Sequence, residues 1–109
     1  MRWYLQRGYT VVERNWRCAA GEVDLILSIS RGTHANVVVF CEVKARASSE
    51  FGGPWAAVNW TKQRRLRRLA AIWLGSERAR AMAVNGPIDV RFDVAAVIGA
   101  RVEVLESAF

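Results

Sequence analysis

Apolar residues along this chain recur with two different periods, and the periods sort it into strands and helices. Over residues 22–29 (Glu-Val-Asp-Leu-Ile-Leu-Ser-Ile), Val23, Leu25, Leu27 and Ile29 occupy every second position, the spacing of one strand face. Residues 37–45 form a second strand opening on the unbroken apolar run Val-Val-Val-Phe-Cys, as expected of a strand buried on both sides. Residues 9–17, 88–98 and 101–106 read as three more strands. Helical spacing dominates from about 56 to 82, where Leu66, Leu69, Ala70 and Trp73 recur at i, i+3, i+4 and i+7. A shorter helix is expected to end over residues 3–7, with Gly8 closing it. The resulting order, α-β-β-β-α-β-β, predicts an α/β fold with a mixed β-sheet flanked by helices. Its long helix should cross between roughly parallel strands, right-handed by the general rule.

The register of the central hairpin can be argued from the residues. Residues 30–36 (Ser-Arg-Gly-Thr-His-Ala-Asn) are polar and contain a turn-permissive glycine. A hairpin centred near Thr33 pairs positions whose numbers sum to about 66. Val23 then faces Val43, Leu25 faces Cys41, Leu27 faces Val39 and Ile29 faces Val37. That face is apolar, and a slip of one residue would spoil it. On the opposite face Asp24 meets Glu42, Glu22 meets Lys44 and Ile26 meets Phe40.

Two carboxylates facing each other across strands repel, and a cation between them would reverse the sign of that interaction. Strands lie about 4.8 Å apart, close enough for Asp24 and Glu42 to share an ion with Mg–O distances of roughly 2.0–2.1 Å. Lys44, two residues beyond Glu42, would reach a phosphate oxygen or the attacking water. The expected catalytic set is therefore Asp24, Glu42 and Lys44. The expected ligands of Mg²⁺ (or Mn²⁺) are Asp24 and Glu42. The competing reading is a solvated acidic face carrying a Glu22–Lys44 salt bridge.

Charge extends this picture toward a polyanion. The 109 residues carry a net charge of +6, which favours nucleic acid as a partner. Lys62, Arg64, Arg65, Arg67 and Arg68 crowd the long helix, and no acid lies between 62 and 68 to pair with them. Arg17 and Arg46 are further candidates for phosphate contact. Trp16, Trp55 and Trp60 could stack on bases; core burial explains Trp73 better and fits any of the other tryptophans about as well. Residues 48–54 (Ser-Ser-Glu-Phe-Gly-Gly-Pro) read as a flexible loop that either closes over a substrate or simply connects. Cys41 lies on the apolar face as a reduced core residue, and two cysteines cannot make a zinc site by themselves. His34, the single histidine, falls in the turn and argues against histidine-based nuclease chemistry. No apolar run reaches the roughly 18 residues of a membrane span, and residues 1–7 lack the apolar core of a secretion signal. One cytoplasmic domain, 1–109, is the expectation.

Several of these segments together resemble a known family. Gly8-Tyr9, residues 13–17 (Glu-Arg-Asn-Trp-Arg), 21–26 (Gly-Glu-Val-Asp-Leu-Ile), 39–46 (Val-Phe-Cys-Glu-Val-Lys-Ala-Arg), Lys62-Gln63 and 91–94 (Arg-Phe-Asp-Val) are similar to the YraN-type family of small bacterial endonuclease-like proteins. The resemblance implies the restriction-endonuclease-like, PD-(D/E)XK fold, akin to Holliday-junction resolvases. By that analogy Asp24 and Glu42 would hold Mg²⁺ and Lys44 would assist the water. Against the family pattern the first helix is short, as if truncated at its N-terminus. Its Gly-Glu pair has no counterpart before Glu13, and Glu22 is the expected partial substitute.

Three functions follow as expectations. The first is a metal-dependent endonuclease-like protein acting on DNA, including branched DNA in recombination or repair. The second is a non-catalytic nucleic-acid-binding protein that keeps the nuclease fold. The third is a partner-binding protein whose apolar surface forms a homodimer.

Overall fold

The computed structural model describes residues 1–32, 35–45, 59–84 and 86–109. Arg46, Trp55, His34 and the 48–54 stretch, singled out above, lie outside the described residues. Five strands and three helices follow in the order α1 (Arg2–Leu5), β1 (Thr10–Cys18), β2 (Gly21–Arg31), β3 (Ala35–Ala45), α2 (Trp60–Leu74), α3 (Glu77–Ala83), β4 (Ile88–Ile98) and β5 (Arg101–Leu105). The strands form one mixed sheet in chain order. β1–β2, β2–β3 and β4–β5 are antiparallel, and β3–β4 is parallel. This is the α/β architecture expected, and it is compatible with the nuclease-like fold.

The region read as one helix to about Met82 is two. Asn59 begins α2 by accepting a hydrogen bond from the Lys62 main-chain N–H at 2.9 Å. After Gly75, the Ser76 hydroxyl accepts from the Ala79 N–H at 3.3 Å and starts α3. A serine N-cap is worth about 1 kcal/mol. With the glycine before it, this is enough to divide a sequence whose helical periodicity runs straight through.

Strand alternation delivers one core to each sheet face. On one, α2 lays Leu66, Leu69, Ala70 and Trp73 over Val23, Ile26, Val38, Phe40 and Phe92. Trp73 is fully buried; its indole N–H donates to Glu13 Oε2 at 2.5 Å, and its ring meets Phe40 edge-on. On the other face, Tyr4 and Tyr9 pack over Leu25, Leu27, Val37, Val39, Cys41 and Ala95. Gly8, at φ +88°, supplies the left-handed step by which the chain leaves α1 and enters β1.

Beneath Tyr4 lies a buried carboxylate. Asp93 accepts the Tyr4 hydroxyl at 2.7 Å, the Arg91 guanidinium through both oxygens at 2.8 Å, and the Ser107 main-chain N–H at 3.1 Å. Burial, reinforced by Cys41 and Asp93, pushes the Tyr4 phenol well above its ordinary pKa. Asp93 has a full set of partners and ties α1, β4 and the C-terminal segment together.

Candidate functional site

The β2–β3 ladder pairs Leu25 with Cys41, Leu27 with Val39 and Ile29 with Val37, as the apolar pattern requires. It stops at Leu25/Cys41. The expected pairs Val23/Val43, Asp24/Glu42 and Glu22/Lys44 are not formed, so the register needs correcting at this end of the hairpin. Val23 belongs to the α2 core together with Ile26, while Leu25 belongs to the opposite core. The alternation of β2 therefore shifts by one step around Asp24. The cause lies in the neighbouring strand, where Asn15 is left-handed (φ 48°) between the pairs Arg14/Leu25 and Trp16/Val23. A left-handed residue there leaves Asn15 and Asp24 unpaired and turns the strand locally.

Freed from the ladder, the Asp24 side chain takes over part of its work. Its Oδ2 accepts the Val43 main-chain N–H at 2.8 Å. A charge-assisted bond of this kind contributes about 1.5–3 kcal/mol and sets the carboxylate at the open end of the two strands. Asp24 consequently borders hollows on both sides. One, of about 250 Å³, is lined also by Ala20, Gly21, Glu22, Glu42, Lys62, Arg65 and Leu66. The other, of about 460 Å³, lies beside Met1, Arg14, Asn15 and Val43.

The first hollow brings together Asp24, Glu42, Glu22, Lys62 and Arg65 of the predicted site. Glu42 shares its strand face with Phe40 and Val38 and so points toward α2. Lys44, two residues on, meets Glu42 with Nζ–Oε1 at 3.0 Å; the two side chains are only 20% and 14% exposed. Lys62 enters from α2, and the neighbouring Lys44 holds its amine below its ordinary pKa, with Glu42 opposing. Three carboxylates, Glu22, Asp24 and Glu42, and two cations, Lys62 and Arg65, thus line one cavity, with Lys44 paired to Glu42 beside it.

Glu22 also borders the cavity, but its carboxylate is bound to Arg17 at 2.9 Å, on the exposed rim. The Glu22–Lys44 salt bridge of the competing reading is replaced by Arg17–Glu22 and Lys44–Glu42. Among the described residues, no three Asp, Glu, His or Cys side chains converge closely enough to hold a metal. The converging acids are Asp24 and Glu42. As a donor set this pair fits Mg²⁺, which usually accepts one or two carboxylates and fills its other positions with water and phosphate oxygens.

The arginine cluster separates in three dimensions. Arg65 reaches the Asp24/Glu42 hollow, and Arg64, Arg65 and Arg68 line an adjoining one with Ala20 and Thr61. Arg67 leaves by the other flank of the helix, its guanidinium 5.0 Å from the Phe92 ring and 5.5 Å from that of Phe109. Of the tryptophans offered for base stacking, Trp16 is packed against the α2 core, while Trp60 is 69% exposed.

Residues that sequence reasoning passed over also shape the site. Ala20 and Gly21, where β1 turns into β2, wall the cavity opposite α2. A Cβ on Gly21 would lie 3.5 Å from Leu69, and its φ of +140° disfavours any other residue. The available signal was the run of small residues immediately before Glu22 and Asp24.

A mixed sheet carrying Asp24 on β2 and Glu42-Val43-Lys44 on β3, beside a cavity that Lys62 and Arg65 also line, makes an α/β domain compatible with a nuclease-like fold. The sequence matches the family described as "Uncharacterised protein family UPF0102" over residues 1–97, and the chain belongs to that family. This agrees with its YraN-type resemblance. Among its relatives, a UPF0102 protein of Clavibacter michiganensis subsp. michiganensis is 46% identical over 107 residues, covering 94% of this chain and 81% of that protein. One of Beutenbergia cavernae is 46% identical over 100 residues, covering 92% and 75%. One of a Nocardioides species is 42% identical over 95 residues, covering 87% and 68%. No helix among the described residues is long and apolar enough to cross a membrane.

Proposed function

We propose that this chain is a divalent-metal-dependent endonuclease-like protein acting on DNA, with Asp24, Glu42 and Lys44 as its reacting set. The observation that carries this reading is the convergence of Asp24 and Glu42 on one cavity rimmed by Lys62 and Arg65. Asp24 and Glu42 would hold Mg²⁺ or Mn²⁺, which when bound supplies Lewis acidity toward the phosphodiester and a more acidic water. The Val43 N–H orients the Asp24 carboxylate for that role. Lys44, paired with Glu42, would steady the attacking water or a phosphate oxygen. Lys62 and Arg65 bind the flanking phosphate charge. Branched DNA, as in recombination or repair, is the substrate class suggested by the resemblance to junction resolvases, a warrant from fold alone.

A second reading has its own support. The absence of a third converging acid among the described residues favours a DNA-binding protein that keeps the nuclease fold without turnover. Incubating duplex, single-stranded and four-way-junction DNA with the protein and Mg²⁺ or Mn²⁺ separates the two. Cleavage that is lost in Asp24→Asn and Glu42→Gln supports the enzyme. Metal-independent binding without cleavage of any substrate supports the binding protein.

A further inference from the structure

Trp60 is the first residue of α2 and, at 69% exposure, the one aromatic among the exposed large hydrophobics of the described residues. A large indole left in water forgoes the gain of burial, and on this helix it is not isolated. Trp60, Arg64 and Arg68 follow at i, i+4 and i+8 on one stripe, about 6 Å apart along the axis at a rise of 1.5 Å per residue. Arg64 and Arg68, with Arg65 and Thr61, line a hollow of about 370 Å³ whose far wall is Ala20. Ala20 and Arg65 also line the cavity of Asp24 and Glu42, so the two hollows adjoin. α2 has no acid anywhere along it, which leaves the stripe one-signed.

We propose that this stripe is a docking track for an unpaired nucleic-acid strand running into the Asp24/Glu42 cavity. Trp60 stacks on a base, and Arg64, Arg65 and Arg68 hold successive phosphates. The inference rests on nucleic acid being the partner, as above, and adds the state of the strand. Arginines alone would accept a duplex equally well, because phosphate contacts carry no information about pairing. An exposed indole changes this preference. Bases within a duplex are already stacked on each other, whereas an unpaired base offers its face to an aromatic ring. Trp16, Trp73 and Trp3 do not compete for this role: the first two are packed in or against the α2 core, and Arg7 lies over Trp3 at 3.7 Å.

The test is equilibrium binding of a labelled oligothymidylate of about a dozen nucleotides, and of a fully paired duplex of the same length. Both are measured in EDTA at low salt, with wild-type protein, Trp60→Ala and Trp60→Phe. The expected result is single-strand affinity reduced by roughly 5- to 100-fold in Trp60→Ala and largely restored in Trp60→Phe, with duplex affinity unchanged. Equal losses on both nucleic acids, or no loss on the single strand, would overturn the track while leaving DNA binding in place. If wild-type protein binds neither nucleic acid, the proposed function fails together with the track. Trp60 is exposed, so neither substitution is expected to disturb folding.

Discussion

The Val43 main-chain N–H donates to the Asp24 carboxylate at 2.8 Å, Asp24 lying one residue beyond Leu25 on β2 and Val43 two beyond Cys41 on β3, where the ladder ends. The candidate metal ligand is therefore also a structural link between two strands. Asparagine can keep the link, because its amide oxygen accepts the same N–H, but it removes the charge. Asp24→Asn should unfold in urea within about 1 kcal/mol of wild type, while Asp24→Ala, which strands the N–H, should lose about 1–3 kcal/mol. Both should lose divalent-metal binding by calorimetry. Equal stability of the alanine and asparagine variants would show that the hydrogen bond contributes nothing.

The arginines of α2 should divide by function. On duplex DNA each neutralised phosphate contributes about −0.9 to the slope of log K against log salt. Replacing Arg64, Arg65 and Arg68 by glutamine should flatten that slope by roughly 1–3. Arg67→Gln should leave the slope nearly unchanged and lower stability slightly, because Arg67 covers Phe92 and Phe109. A salt titration on the two variants decides it. An unchanged slope in the triple variant would move the contact surface elsewhere.

Asp93 and Arg91 should behave as a buried pair that tolerates no single loss. Asp93→Ala leaves the Arg91 guanidinium, the Tyr4 hydroxyl and the Ser107 N–H without their shared acceptor. The expected cost is about 3–5 kcal/mol, read from denaturant unfolding. Tyr4→Phe, which removes one donor of several, should cost about 1 kcal/mol. If the two variants proved equally stable, Asp93 would not be the anchor of α1.

Alkaline pH should destabilise the fold through Cys41. Burial pushes its thiol up from 9.0 to about 12. Within that window the unfolded chain has released the proton that the folded chain still holds, so raising the pH favours unfolding. Below pH 9 this contribution is fully present; by pH 12 it is gone. Cys41→Ala should flatten the fall of stability across the window by up to about 1.4 kcal/mol per pH unit. As an independent check, iodoacetamide at pH 8 should modify Cys41 only in denaturant, because the folded thiol is neutral and fully buried.

Much of this molecule is determined by period and side-chain type. Leu25/Cys41, Leu27/Val39 and Ile29/Val37 could be paired from sequence, because a period of two with one apolar face tolerates no slip. The α2 stripe of Leu66, Leu69, Ala70 and Trp73 was legible for the same reason at a period of 3.6. The Asp24 and Glu42-Val43-Lys44 pattern could be placed on adjacent strands from the spacing of the hairpin alone.

Other features were decided only in three dimensions, where backbone geometry or a distant partner overrode the local pattern. Asn15 in a left-handed conformation unpairs Asp24 and turns Val23 to the α2 face, and no residue of β2 itself signals this. Glu22 was drawn to Arg17 across the β1–β2 pair rather than to Lys44. Arg67 differs from Arg64 and Arg68 only in its angle about the helix, which sends it to Phe92 and Phe109. Asp93, indistinguishable in sequence from a surface acid, is buried because Tyr4, Arg91 and Ser107, spread over the length of the chain, meet around it. Periodicity reports which face a side chain takes while the ladder is regular. What that side chain touches, once the ladder breaks or the chain returns from afar, depends on long-range packing that no local window contains.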